Sequence, residues 1–497
     1  MATTGWDVVV VGGGAAGAVI AARLSENPAR SVLLLEAGRV YPTDAEPEDL
    51  RDPGRVPGEP AHDWGYTARG SRSATEIFVP RGKALGGSSA VNAAIAMRPR
   101  DVDIHEWQSH GVEGWSVDDV RSTFDALECA VGAGSGTLPI HQQRYEELST
   151  SLRGFVDVGV ALGFPYVRSF NGHGSAAVGG AAVNVVDGVR QHTARVYLTD
   201  DVRSRPNLTI LGDVLVDRLM LNAGRATGVV ASDRTAFAAE EVILSAGAYG
   251  SAAILLRSGI GPAAELRDQD IGVAVDLPVG QRLHDHPFFY NPYALAPEAL
   301  DMDPPAGALL WTATSEAANG ELDVHITATH LMEPSLSPTG GAIVLAVALV
   351  TPESRGTIRL RSSDPEDPPI IDCNFLATKR DYNRMLEAVK LSRSIGRHPT
   401  FAPLVAAELV PGDAVQDDTE LGEFVESNIA TYGHPVATAP MGGADDPWAV
   451  VDSRGAVKGV SGLRVVDASI IPTVPSVATN LTTIMIAERI AQVAYGR

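Results

Sequence analysis

Asp7-Val8-Val9-Val10-Val11-Gly12-Gly13-Gly14-Ala15-Ala16-Gly17 and, after it, Ser31-Val32-Leu33-Leu34-Leu35-Glu36 decide the fold. Val8 to Val11 is a continuous apolar run, short enough for a fully buried strand. The G-x-G-x-x-G of Gly12, Gly14 and Gly17 follows at once, and small residues from Ala15 to Ser25 read as a helix. A second buried strand, residues 31–35, ends on Glu36. Gly12 suits a tight turn, Gly14 lets the backbone approach a pyrophosphate, and Gly17 lets the helix pack closely on the strand. The helix N-terminus offers unpaired N–H groups and partial positive charge to phosphates. Glu36 suits both hydroxyls of an adenosine ribose and disfavours a 2′-phosphate. Strand, glycine turn, helix and acid in this order predict a dinucleotide-binding unit. They do not separate NAD from FAD.

With 497 residues the chain is long enough for roughly two to three domains. A formal net charge of −22 argues against nucleic-acid or anionic-membrane partners. The two cysteines, Cys129 and Cys373, form no C-x-x-C, so a reducing, cytoplasmic setting is expected and no disulfide framework or metal site is suggested. The nucleotide strand begins at Asp7, which leaves no room for a signal peptide. The apolar stretch from Val8 to Leu24 is Gly-rich and interrupted by Arg23, so it does not read as a membrane span. Asn207-Leu208-Thr209 is then a sequon by chance.

From Glu36 to residue 80 no period is visible, and the segment reads as loop. Gly82-Lys83-Ala84-Leu85-Gly86-Gly87-Ser88-Ser89-Ala90-Val91-Asn92 follows, a density of small residues that marks backbone pressed against a flat ligand or phosphate. Residues 82–105 resemble, position by position, the first signature of the glucose–methanol–choline (GMC) flavoprotein oxidoreductases. Residues 247–261 resemble the second signature, departing at Ala252, and residues 280–286 resemble the stretch closing the FAD domain, with Arg282 where Asn is usual. His434-Pro435-Val436-Ala437-Thr438-Ala439-Pro440-Met441-Gly442 resembles the active-site motif. The resemblance spans essentially the whole chain.

It implies an α/β fold: a Rossmann-like FAD-binding domain (1–155, 195–290 and 432–497) and a substrate domain built on a large antiparallel sheet (156–194 and 291–431). The FAD site it implies comprises Gly12, Gly14, Ala15, Ala16, Gly17, Glu36 and Ala37, then Trp64, Gly82, Leu85, Gly86, Gly87 and Ser88. It continues through Asn92, Ala93, Ala94, Ile95 and Ala96 to Val216, Ala246, Asp467, Ala468, Asn480, Leu481 and Thr482. Some members hold FAD covalently through a histidine whose position matches Val91, so non-covalent FAD is expected.

Other elements follow from pattern. Ser116 and Asp119 form a capping box opening a helix through Cys129. Residues 131–140 read as loop, 145–162 as helix, and 208–211 and 214–219 as strands. Residues 342–350 and 356–361 read as strands of one antiparallel sheet, and 381–395 as an amphipathic helix stopped by Gly396.

Removing a hydride and a hydroxyl proton from an alcohol needs a hydride acceptor, which flavin N5 supplies, and a base near neutral pKa. His434 is the expected base. Asn480 matches the family's second active-site residue, with helix N-capping as its competing role. Gly433 stands where an aromatic residue is common, which points to a roomier pocket and a bulkier alcohol, aryl or glycosidic. His284 and His286 have no further ligand cluster to make a metal pair. The expected partners are a small-molecule alcohol and an electron acceptor, oxygen or another. A choline dehydrogenase-like enzyme and a hydroxynitrile lyase-like enzyme are the alternatives on this fold.

Overall fold

The computed structural model describes residues 5–131, 136–318 and 320–496. Its first sheet places strand Trp6–Val11 between Val32–Leu35 and Ala236–Leu244, all parallel. Leu208–Leu211 extends it beyond Val32–Leu35, and Leu463–Val465 pairs with Ala236–Leu244. Val8 to Val11 and Val32 to Leu35 are buried, as a strand covered on both faces demands. The helix after the glycine turn runs Gly17–Leu24, two residues shorter at its start than the small-residue run suggests, because residues 14–16 are taken up by the turn.

A second sheet of eight strands is almost wholly antiparallel. Its centre is Pro287–Leu295, Ala342–Leu349, Val324–Thr329 and Ala306–Thr312, in that order across the sheet. Alternation splits its residues between two faces. Phe289, Ile326, Leu345 and Val347 join the main core, while Phe288, Val344 and Ala346 form a separate cluster with Tyr432 on the other face. Helix Lys379–Gly396 packs on Ala342–Leu349 with Met385, Val389 and Ile395 buried. Thr378 caps it by accepting the Asp381 N–H. Gly396 is its last residue rather than its stop, and a Cβ there would lie 2.2 Å from the Tyr293 ring.

Several expectations need correction. The stretch before residue 80 holds two paired strands, Tyr66–Arg69 and Ile77–Val79, too short to show a period. Thr357–Arg359 joins them through Ile370–Asp372 in a small four-stranded sheet, not the sheet of Ala342–Leu349. The Ser116–Asp119 box is present, but its helix ends at Leu127 and Glu128–Ala130 is a strand. Of the 131–140 loop, residues 132–135 lie outside the described residues, and Leu138–Gln142 is a strand. The 145–162 helix breaks at Leu148, and Ser149 caps Thr150–Ala161. The strand expected at 214–219 is Val216–Asn222. The last helix is Thr479–Tyr495.

Candidate active site

A cavity of about 1080 Å³ lies between the two large sheets and is lined by residues of both. It opens at the C-terminal ends of the parallel strands, where open α/β sheets bind ligands. It exceeds the space one drug-sized ligand takes and suits an extended cofactor with a substrate beside it.

Backbone builds the nucleotide end. Gly12 has φ +94°, and a Cβ there would lie 2.5 Å from the Ser245 carbonyl oxygen. A Cβ on Gly17 would lie 1.8 Å from the Gly12 carbonyl oxygen, and one on Gly87 2.7 Å from the Gly14 Cα. The glycine turn thus meets the 245–247 turn at Gly12 and the 82–92 loop at Gly14, backbone to backbone. Glu36 is buried, its two oxygens accepting N–H bonds from Gly13 at 2.7 Å and Gly38 at 2.8 Å. Each oxygen keeps a lone pair for a ribose hydroxyl. Asp467 is pinned likewise by the Gly247 and Ser469 N–H groups, at 2.9 and 2.8 Å. Burial raises the pKa of both carboxyls. This donor set and this cradle fit FAD.

Gly12, Gly14, Ala15, Ala16, Glu36 and Ala37 all line the cavity. So do Trp64, Gly82, Gly87, Ser88, Asn92, Ala93 and Ile95. Val216, Ala246, Asp467, Ala468, Asn480 and His434 complete the set. The structure does not bring Gly17, Leu85, Gly86, Ala94, Ala96, Leu481 or Thr482 to the cavity wall. They shape it from behind: Gly86 donates its N–H to the Gly13 carbonyl at 2.8 Å, Ala94 turns the chain at φ +56°, and Ala96 donates to Ala182 at 2.8 Å. Leu481 and Thr482 face the core.

The other end is made by side chains. His434 Nδ1 lies 3.0 Å from His286 Nδ1, and the rings meet at 89°. A neutral pair shares a single proton between these atoms. With that proton on His434, its Nε2 carries the lone pair on a ring that lines the cavity, while the buried Nε2 of His286 is the ring nitrogen without a protein partner among the described residues. Asp285 fixes the segment: one oxygen accepts the N–H groups of His286 and His434 at 2.7 and 2.8 Å, the other the Thr431 hydroxyl at 2.6 Å. Burial pushes Asp285 up to about 6 and His286 down to about 3. Burial, then His286, Arg81 and His325, hold His434 well below the usual imidazole value. The near-neutral base expected from sequence is therefore a histidine kept firmly neutral.

Gly433 lines the cavity, but its backbone is held in a special conformation and the space beside it is taken by Arg81. Its φ is +83°, its carbonyl accepts from the Arg81 guanidinium at 2.7 Å, and a Cβ would lie 2.7 Å from the same nitrogen. The aromatic residue sits one place earlier: the Tyr432 ring centroid is 4.4 Å from that of His434. Asn480 is not the helix cap either. Ala478 holds that position without a side-chain bond, and Asn480, in the first turn, has an amide without hydrogen-bond partners among the described residues and lines the cavity. His284 and His286 diverge: His284 accepts the Val474 N–H at 3.0 Å, while His286 faces His434.

Sequence reasoning missed Arg81, His286 as the partner of His434, and the aromatic wall. Phe288 and Tyr290, Thr327 and Thr329, and Val344 and Ala346 are three i, i+2 pairs lining the cavity from adjacent strands. Alternation within each strand was the available signal; which strands lie side by side was not.

The GMC oxidoreductase family profile matches residues 6–288 with its N-terminal part and 352–487 with its C-terminal part. Mitochondrial choline dehydrogenase of Mus musculus is 34% identical over 99% of this chain and 89% of that protein. Oxygen-dependent choline dehydrogenase of Stenotrophomonas maltophilia is 35% identical over 99% of this chain and 95% of that protein. Among solved structures, pyridoxine 4-oxidase from Mesorbium loti superposes with a TM-score of 0.89 at 31% identity, covering 99% of this chain and all of that one.

Proposed function

Because the chain belongs to the GMC oxidoreductase family, which includes FAD-dependent enzymes that oxidise alcohol CH–OH groups, we propose that His434 is its catalytic base and Asn480 its second polar catalytic group. The observation that carries this reading is a neutral histidine whose Nδ1 is occupied by His286 and whose Nε2 is left for the cavity. Bound FAD supplies the hydride acceptor. His434 takes the hydroxyl proton at Nε2, so the developing imidazolium keeps its Nδ1–H on His286. Asn480 donates to the substrate oxygen from the first turn of its helix, whose N-terminus adds a favourable field for negative charge there. Asp285 orients His434 through its backbone N–H rather than through its ring.

Residues 1–155, 195–290 and 432–497 form the FAD domain on this reading, and 156–194 with 291–431 the substrate domain, except that Pro287–Leu295, a central strand of the antiparallel sheet, moves that boundary to before Pro287. The FAD is held without a covalent link: Val91 lines the cavity, packs with Leu50, Ala84 and Ala90, and carries no nucleophile. A reducing compartment, the cytoplasm, suits the free Cys129 and Cys373. Oxygen is the acceptor the reading favours, in line with the oxygen-dependent choline dehydrogenases. The test is anaerobic mixing of the yellow holoenzyme with an alcohol panel. Bleaching supports alcohol oxidation, and a flavin that stays yellow with every alcohol overturns it. Admission of air then tests the acceptor: prompt recolouring with peroxide is expected, and reduced flavin surviving for minutes points to another acceptor.

A further inference from the structure

The wall facing His434 is unusually readable because its rows are in register. Tyr290 lies opposite Ala346, and Ala346 opposite Thr327, across three neighbouring strands. The next row sets Val344 opposite Thr329. Leu331 and Phe288 complete this side of the cavity.

An alcohol bearing a fixed positive charge needs either a carboxylate or open aromatic faces to replace its lost hydration. The rings here use their faces on one another. Tyr432 stacks on Phe288 with centroids 4.5 Å apart and planes at 16°. His434 also contacts Tyr432, with ring centroids 4.4 Å apart and planes tilted at 48°. Phe288 meets Tyr290 edge to face, at 4.7 Å and 89°. The Phe288–Tyr432 stack takes one face of each ring, leaving less open aromatic face for a cation.

Carboxylates are no better placed. Among the described residues, those lining the cavity are Glu36, Asp213, Glu366, Asp367 and Asp467. Glu36 and Asp467 belong to the nucleotide cradle. Asp213 adjoins that cradle, donating its N–H to the Gly38 carbonyl. Glu366 and Asp367 sit on the hairpin whose Asp364 acts on Arg257, the residue bonded to Asp217. None of the five is among the charges acting on His434, Tyr290 or Tyr432. Asp285, the carboxylate bonded to the base segment, does not line the cavity and spends its oxygens on two backbone N–H groups and Thr431. The fixed charge that does line this end is the Arg81 guanidinium, of the same sign as the ligand in question.

We infer that the substrate is an uncharged alcohol with an apolar, ring-sized body, and that quaternary ammonium alcohols such as choline are poor substrates. The body lies on the Tyr290, Val344 and Leu331 side, where apolar area is available for burial. The hydroxyl carbon faces His434 and Asn480, so this inference rests on the proposed function. It departs from the activity that names the choline dehydrogenases, and the reason is local to this wall.

The experiment is anaerobic flavin reduction in the holoenzyme by benzyl alcohol, cinnamyl alcohol and choline. The aryl alcohols should win by roughly 10–200-fold in kred/Kd, the usual worth of pocket complementarity. Choline reducing the flavin as well or better overturns the inference and leaves alcohol oxidation standing. If no alcohol reduces the flavin, the proposed function falls, and binding decides the inference alone. Two unreactive probes, anisole and tetramethylammonium, are titrated against the flavin absorption spectrum. Tighter binding of anisole upholds the wall as a site for uncharged ligands, and tighter binding of tetramethylammonium overturns it.

Discussion

The two ends of the cavity are made from different material. The nucleotide end is backbone against backbone, with the Gly12 turn, the Gly87 loop and the Ser245 turn in direct contact. The reacting end is side chain against side chain, with Phe288, Tyr432, His434 and His286 in a chain of ring contacts. A backbone-made site tolerates no added atom but accepts one ligand shape. A side-chain-made site can be re-cut residue by residue, which suits a fold that serves many alcohols with one cofactor.

If that contrast is right, the largest effect of any single methyl group should fall on the cradle. Gly17→Ala places a Cβ 1.8 Å from the Gly12 carbonyl oxygen, an overlap no rotamer relieves. The cost should exceed the roughly 1–3 kcal/mol of ordinary overpacking. The purified variant should come off the column largely colourless, as the flavin-to-protein absorbance ratio will record. A fully yellow Gly17→Ala protein would break the comparison at its first term.

His434→Ala should do the opposite, keeping the flavin while slowing its anaerobic reduction by about 10²–10⁴, the worth of a positioned general base. The sign of the pH dependence follows from the lowered pKa. His434 is competent when neutral, so reduction rises as pH rises through its pKa and is flat above it. That limb should lie below the usual imidazole range of about 6.5 and vanish in the variant. Stopped-flow reduction across pH checks both points, and a limb retained by His434→Ala would assign it to another group.

Gly433→Ala sharpens the comparison, because Gly433 is a backbone-determined position inside the side-chain end. A left-handed φ costs an alanine on the order of 1–2 kcal/mol, and the Arg81 contact adds to it. Reduction should slow by a similar factor for small and large alcohols alike. Selective loss of large ones would mean that the position borders the substrate after all. The smallest effect is expected for Asn480→Ala, about tenfold in reduction rate, since one hydrogen bond of about 1–1.5 kcal/mol is lost. A loss as large as that of His434→Ala would make Asn480 an equal partner in the chemistry.

The same division explains what could be read in advance. The glycine turn, Glu36, the 82–96 segment and His434 are local: each occupies a few consecutive residues, and close backbone contact restricts which residues fit. They were legible in sequence. The Phe288, Thr327 and Val344 pairs come from three strands spread over some 60 residues of chain, and only the pairing register brings them together. Short strands such as Ile77–Val79 hold too few residues to show alternation. His286 was visible as a residue but not as a partner, since 148 positions separate it from His434. Gly433 lines the cavity as an empty side chain suggests, but the left-handed backbone angle it also serves is not visible in sequence.

The pairing of Leu463–Val465 with Ala236–Leu244 has a consequence for biosynthesis. Trp6–Val11 precedes by more than 450 residues the strand that flanks its sheet and the helix that carries Asn480. Growing chains fold N-terminal parts first. Here the glycine turn must wait, unsealed, until those residues have been made. Flavin loading is therefore a late event, and a nascent chain halted before residue 463 would carry half a cradle that cannot retain it.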